Sequence, residues 1–145
     1  MKDSAASDDE VRVINQGDST LTHVQRGQHH ILRLEGFFDV YSAPTLREVM
    51  WPLAENAQGN LIVVVNSGTM ELFDSTSLGV LIGALKRIRV SGHAIQVVDA
   101  PNGKLRKIFR ITGLTHVIPV HERLEDALAA ASEHDQTGQG RIPHP

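Results

Sequence analysis

The chain contains no cysteine, which excludes disulfides, thiolate metal sites and cysteine nucleophiles. It has no excess of positive charge: the formal net charge is −3 and the isoelectric point about 6.2, so nothing marks a nucleic-acid-binding surface. It has no apolar run near the roughly 18–20 residues of a membrane span. Met1 to Glu10 is acidic and polar, the opposite of a secretory leader. Together these absences lead to the expectation of a soluble, cytoplasmic protein with no membrane partner. Catalytic signatures are missing too. There is no G-x-S-x-G elbow around a serine and no G-x-x-x-x-G-K-(S/T) loop, and Gly103-Lys104 lacks the upstream glycine pattern. The eight histidines follow no metal-ligand spacing, and His29 and His30 alternate faces on a strand. Neither enzyme, cofactor nor metal is expected.

What the chain has is apolar patterning. With 145 residues and 41% hydrophobic content, one domain with a real core is expected. Residues 1–17 and 132–145 read as polar, flexible tails around a domain over 18–131. Thr20 to Gln25 alternates as a half-buried strand, Gly27-Gln28 turns the chain, and His29 to Gly36 is a second strand. Ser42-Ala43-Pro44 opens a helix that points Leu46, Val49, Met50 and Leu53 inward and that Pro52 should kink or shorten. Leu61 to Asn66 is apolar and β-branched enough to be a central strand covered on both faces. Leu78 to Val90 carries helical spacing and ends at Ser91-Gly92. Ala94–Val98 is a strand, Lys104–Arg110 a short basic helix closed near Gly113, Val117–Val120 a last strand and Leu124–Ala131 a closing helix. The order β-β-α-β-α-β-α-β-α predicts an α/β fold, a mixed sheet covered by about four helices. Sites in such folds gather in loops beyond the carboxyl ends of strands, and Asn66–Ser77 reads as such a loop.

That loop holds the segment richest in chemistry, Phe73-Asp74-Ser75-Thr76-Ser77-Leu78-Gly79. Hydroxyl residues at a helix start can serve as caps. The free N–H groups and positive dipole end there also tolerate a phosphate, bound or attached.

Three segments in order resemble the STAS domain of bacterial anti-sigma factor antagonists. Gly36-Phe37-Phe38-Asp39-Val40-Tyr41-Ser42-Ala43-Pro44-Thr45-Leu46 resembles that family's G-x-h-D-x-x-(S/T)-A-x-x-L segment, h being apolar. Asp74-Ser75-Thr76-Ser77-Leu78-Gly79 resembles D-S-(S/T)-G-L-G, departing at Ser77, where the family carries glycine. Lys107 to Leu114 resembles the late L-x-x-x-G-L segment. The likeness spans roughly residues 20–130 and implies a single STAS-like domain. It implies phosphorylation at Ser75 by an anti-sigma factor that is also a serine kinase using ATP. Unphosphorylated antagonist would bind that kinase and free the sigma factor. Phosphorylation would break the complex, and a PP2C-type phosphatase would restore it. Asp39, Asp74, Thr76 and Ser77 are then partner-binding candidates beside Ser75, and the antagonist itself needs no cofactor. A monomer or weak dimer is expected.

The remaining residues have plainer readings. Lys104, Arg106, Lys107 and Arg110 form a basic helix face, solvated or turned to an acidic partner. Phe37, Phe38 and Tyr41 read as core or core edge, although an exposed Phe37 or Tyr41 would fit a partner patch. Trp51 reads as packing. Two other functions stay open: a STAS scaffold or small-ligand module in a larger regulatory complex, and a small enzyme acting on phosphorylated substrates at the same helix start.

Overall fold

The computed structural model describes residues 10–141. The chain starts as a three-stranded antiparallel meander: β1 (Val11–Gln16), β2 (Ser19–Arg26) and β3 (His29–Phe38). Both hairpin loops are two residues long and start with glycine at positive φ, Gly17 at 58° and Gly27 at 63°. Glycine first in a two-residue loop suits the turn whose twist matches that of the strands. From β3 the pairing becomes parallel. Helix α1 (Ala43–Glu55) leads to β4 (Leu61–Phe73), α2 (Ser75–Val90) to β5 (Ile95–Val98), and α3 (Lys104–Thr112) with a 3₁₀ turn (Leu114–His116) to β6 (Val120–His121). Helix α4 (Leu124–Arg141) follows. The sheet order is β1-β2-β3-β4-β5-β6, so sequence neighbours are also spatial neighbours.

Successive β4 residues divide between two cores, as the two-residue strand period requires. Leu61, Val63 and Val65 join the larger cluster with Leu46 and Met50 of α1, Leu81 and Ile88 of α2, and Phe109 of α3. Ile62 and Val64 join the smaller one with Ile31, Val98, and Ala127 and Ala131 of α4. The central, doubly covered strand expected at Leu61 is therefore present, within the expected mixed sheet and its covering helices.

Several expectations need correction. The polar tail over 1–17 gives way at Val11 to a strand whose six residues pair in unbroken register with β2. Its alternation was masked by Arg12, Asn15 and Gln16, and its outer side chains are exposed. The tail over 132–145 gives way to α4, which runs on to Arg141. Low apolar content there does not end the helix, since extending a formed helix is far easier than nucleating one. Residues 1–9 and 142–145 lie outside the described residues. The loop expected over Asn66–Ser77 is mostly strand. β4 continues to Phe73, crossing register irregularities around Gly36. Helix α2 begins at Ser75, three residues earlier than its apolar spacing indicated. Pro52 lies inside α1 without ending it. The last strand is displaced from Val117–Val120 to Val120–His121: Ile118 is buried, the Pro119 carbonyl accepts from the Val97 N–H at 3.0 Å, and β6 pairs at Val120 and His121.

Candidate functional site

The site candidates sit where two loops meet at the carboxyl ends of β3 and β4. The Asp74 N–H donates to the Phe38 carbonyl at 3.0 Å and ties the loops together. On the β3 side, Asp39 Oδ1 accepts from the backbone N–H groups of Tyr41 (3.0 Å) and Ser42 (3.2 Å). The Asp39 N–H donates to Ser42 Oγ at 2.9 Å. Ser42, expected as a side-chain cap, occupies the cap position of α1 without making that bond. Its hydroxyl instead serves the turn, donating to the Phe37 carbonyl at 3.2 Å. The Asp39 turn is thus fixed from both ends before any partner arrives.

On the β4 side, Asp74 caps α2. Its backbone is extended, and its Oδ1 accepts from the Ser77 N–H at 2.9 Å. Aspartate at this position satisfies one orphan donor and complements the dipole. The three hydroxyl residues of the first turn then part company. Ser75 and Thr76 are exposed, whereas Ser77 is 0% exposed and faces the core. Ser77 Oγ has no hydrogen-bond partner. Ser77 is therefore removed from the partner-contact candidates. The helical turn that presents Ser75 outward carries the third residue inward. Ser75 Oγ has no bond to another described residue, so an incoming group can reach it without breaking one.

Around these polar residues lie apolar side chains in water. Phe37 is 41% exposed, Val40 56%, Tyr41 83% and Leu72 40%. Phe37 and Leu72 are register partners on neighbouring strands. Phe38, in contrast, is wholly buried. Val40 and Leu72 escaped sequence reasoning, because an apolar residue in a loop or an alternating strand gives no sign of its exposure. Beyond Leu72, a hollow of about 380 Å³ is lined by Glu71, Phe73, Asn102, Lys104, Lys107 and Ile108. Two of the four cations expected on the basic helix face therefore flank the patch. Arg106 has another task, donating to the carbonyls of Ala100 (3.1 Å) and Asp99 (3.4 Å). Asp99 is buried and accepts the N–H of Arg106 at 2.9 Å, capping α3 from the preceding loop. Gly103 is required beneath it, because a Cβ there would lie 2.0 Å from Asp99 Oδ1.

The histidines lie elsewhere. His23 Nε2 and His30 Nδ1 are 2.8 Å apart, and His30 is level with Leu61, at the opposite end of β4 from Ser75. Burial, then His30 and Arg12, lowers the His23 pKa to about 4. Burial and His29 lower that of His30. Among the described residues, no three histidine or carboxylate groups converge as a metal site, and no helix is long and apolar enough to cross a membrane.

Comparison with known proteins gives a consistent set of likenesses. The family model of the STAS domain matches residues 21–127. An anti-sigma-B factor antagonist of Bacillus subtilis (strain 168) is 35% identical over 94 residues, 65% of this chain and 83% of the relative. One from Staphylococcus epidermidis is 30% identical over 112 residues, 77% of this chain and 98% of the relative. Among solved structures, an anti-sigma factor antagonist from Mycobacterium paratuberculosis superposes with a TM-score of 0.69 at 21% identity, covering 82% of this chain and 99% of that one.

Proposed function

Because this chain belongs to the STAS domain family, we propose that it is an anti-sigma factor antagonist, docking on an anti-sigma factor serine kinase and releasing the sigma factor, with phosphorylation of Ser75 as the off-signal. The observation that carries this reading is the exposed Ser75 in the first turn of α2, beside exposed Phe37, Val40, Tyr41 and Leu72. The apolar side chains supply the adhesive area, since burying them on docking removes them from water. Asp39, Asp74 and Thr76 frame the hydroxyl and give the patch its polarity.

The switch needs no conformational change. A phosphoserine adds about −1.5 to −2 charge at neutral pH. At a helix N-terminus that charge is tolerated within the free protein. In the complex it meets Asp74 next door and Asp39 across the Phe38–Asp74 link, inside a patch that docking desolvates. An uncompensated charge at such a place costs several kcal/mol, and about 4 kcal/mol weakens binding roughly a thousandfold. A PP2C-type phosphatase resets the surface by removing the phosphate.

The test is affinity capture from the native lysate with wild type, Ser75→Ala and Ser75→Glu, read by mass spectrometry. Wild type and Ser75→Ala should recover an anti-sigma kinase that Ser75→Glu loses. Equal recovery by all three would remove Ser75 as the switch.

A further inference from the structure

β1 and β6 are the two edge strands of the sheet, and β1 is the longer. Which of its backbone groups point outward follows from the hairpins. In a two-residue hairpin the closing pair exchanges hydrogen bonds, and bonded pairs then alternate along the ladder. Gln16↔Ser19 closes the first hairpin, so Arg12, Ile14 and Gln16 bond to β2 while the N–H and C=O of Val11, Val13 and Asn15 point away. The second hairpin, closed by Arg26↔His29, assigns the same alternation. Among the described residues nothing pairs with this outer row. The strand carries no proline and no bulge across its six registered pairs, and Arg12 is its single charge. Natural edge strands are normally blunted by such devices. Val11 and Val13 are each 54% exposed, on the sheet face that carries Val24 and the α4-side core.

We infer that this chain self-associates through that edge, β1 pairing antiparallel with β1 of a second copy about a two-fold axis at Val13. The strand is self-complementary in this register. Val13 stands opposite its own copy, Val11 opposite Asn15, and both are outward-facing positions able to exchange hydrogen bonds, about six in all. Arg12 faces Ile14, and Glu10 faces Gln16, so no like charges meet. Centring the axis on Arg12 instead sets two guanidinium groups directly opposite each other, which is destabilising. The valines of both copies continue one apolar face across the junction, and the two sheets become one. Ser75 follows β4, two strands inward of β2, while Gln16 at the end of β1 shares a hollow with Phe37, Asp39 and Tyr41.

The absence of native cysteine makes the test clean, because each single-cysteine variant carries one thiol. Across the axis the Val13 Cα atoms are about 5.5 Å apart, within disulfide reach. The Val11 Cα atoms are offset by four positions, roughly 13 Å, which is out of reach. Under mild oxidation Val13→Cys should form a covalent dimer, while Val11→Cys and the exposed control Val90→Cys should not. Sedimentation of the cysteine-free protein from about 10 µM to about 1 mM, the range for an interface below standard size, should show a concentration-dependent dimer. Val13→Pro, whose lost N–H points away from β2, should remain monomeric with an unchanged circular dichroism spectrum. Crosslinking of Val13→Cys no greater than that of Val90→Cys overturns the inference, as does a folded Val13→Pro that still dimerises.

Discussion

Ser77 shows how one residue can be read correctly in type and wrongly in place. Its spacing from Asp74 puts its N–H on the capping carboxylate, and the same turn drives its side chain into the core with the hydroxyl unpaired. A buried hydroxyl without a partner costs on the order of 1–3 kcal/mol. Ser77→Ala keeps the backbone bond to Asp74 and deletes the orphan, so it should raise the urea-unfolding free energy by about 1 kcal/mol. Asp74→Ala acts in the opposite sense, losing about 0.5–2 kcal/mol with the cap. The pair separates the two roles of this turn. A stabilised Ser77→Ala that still captures the anti-sigma kinase would show that the departure at Ser77 is a matter of packing. Loss of capture in a more stable protein would return Ser77 to the partner surface.

At the scale of elements, α1 and α2 are joined through the single tryptophan. Trp51 Nε1 donates to the Val80 carbonyl at 2.9 Å, and the Arg87 guanidinium lies 3.5 Å from the ring centroid while pairing with Glu55 at 3.1 Å. The ring fits because α2 has glycine beneath it. A Cβ on Gly83 would lie 2.6 Å from Trp51 Cζ2. Gly83→Ala improves helix propensity by up to about 1 kcal/mol, yet here overpacking should outweigh it, with a net loss of about 1–3 kcal/mol and a shifted Trp51 emission. Unchanged stability would mean that the helices separate freely. Much of this arrangement was legible in advance. The inward positions Leu46, Val49 and Met50, the stop at Ser91-Gly92 and the covered strand from Leu61 all follow from period and punctuation. The loop at Phe73–Ser75 was legible only as a motif. Its partners Val40 and Leu72 were not, because exposure of an apolar side chain depends on what packs over it and not on spacing. β1 was missed for the converse reason: most of its side chains face water, so it carries too little apolar signal to betray regular structure, and the end of α4 is likewise poor in apolar residues.

Across the whole molecule the histidines make stability depend on pH. His23, His30 and His121 sit in β2, β3 and β6, and each has a lowered pKa, burial being the largest cause in all three. His23 and His30 lie against each other, and His121 Nε2 is 2.8 Å from Gln96 Oε1. A histidine held below its ordinary pKa binds its proton more readily in the unfolded chain. Stability from these groups is therefore fully present above the unfolded value near 6.5 and is lost as pH falls. For His23 the loss runs from about 6.5 down to its folded value of about 4. Screening at the partly exposed ring reduces its share to on the order of 1–2 kcal/mol. Denaturation midpoints at pH 7.5, 6 and 5 should fall progressively, and unfolding near pH 5 should take up protons. His23→Gln should flatten the curve because it removes the most strongly shifted group. An equally steep decline in His23→Gln would move the acid sensitivity away from the β2–β3 pair and onto His121 and the carboxylates, whose protonation would then set the lower limit of the fold.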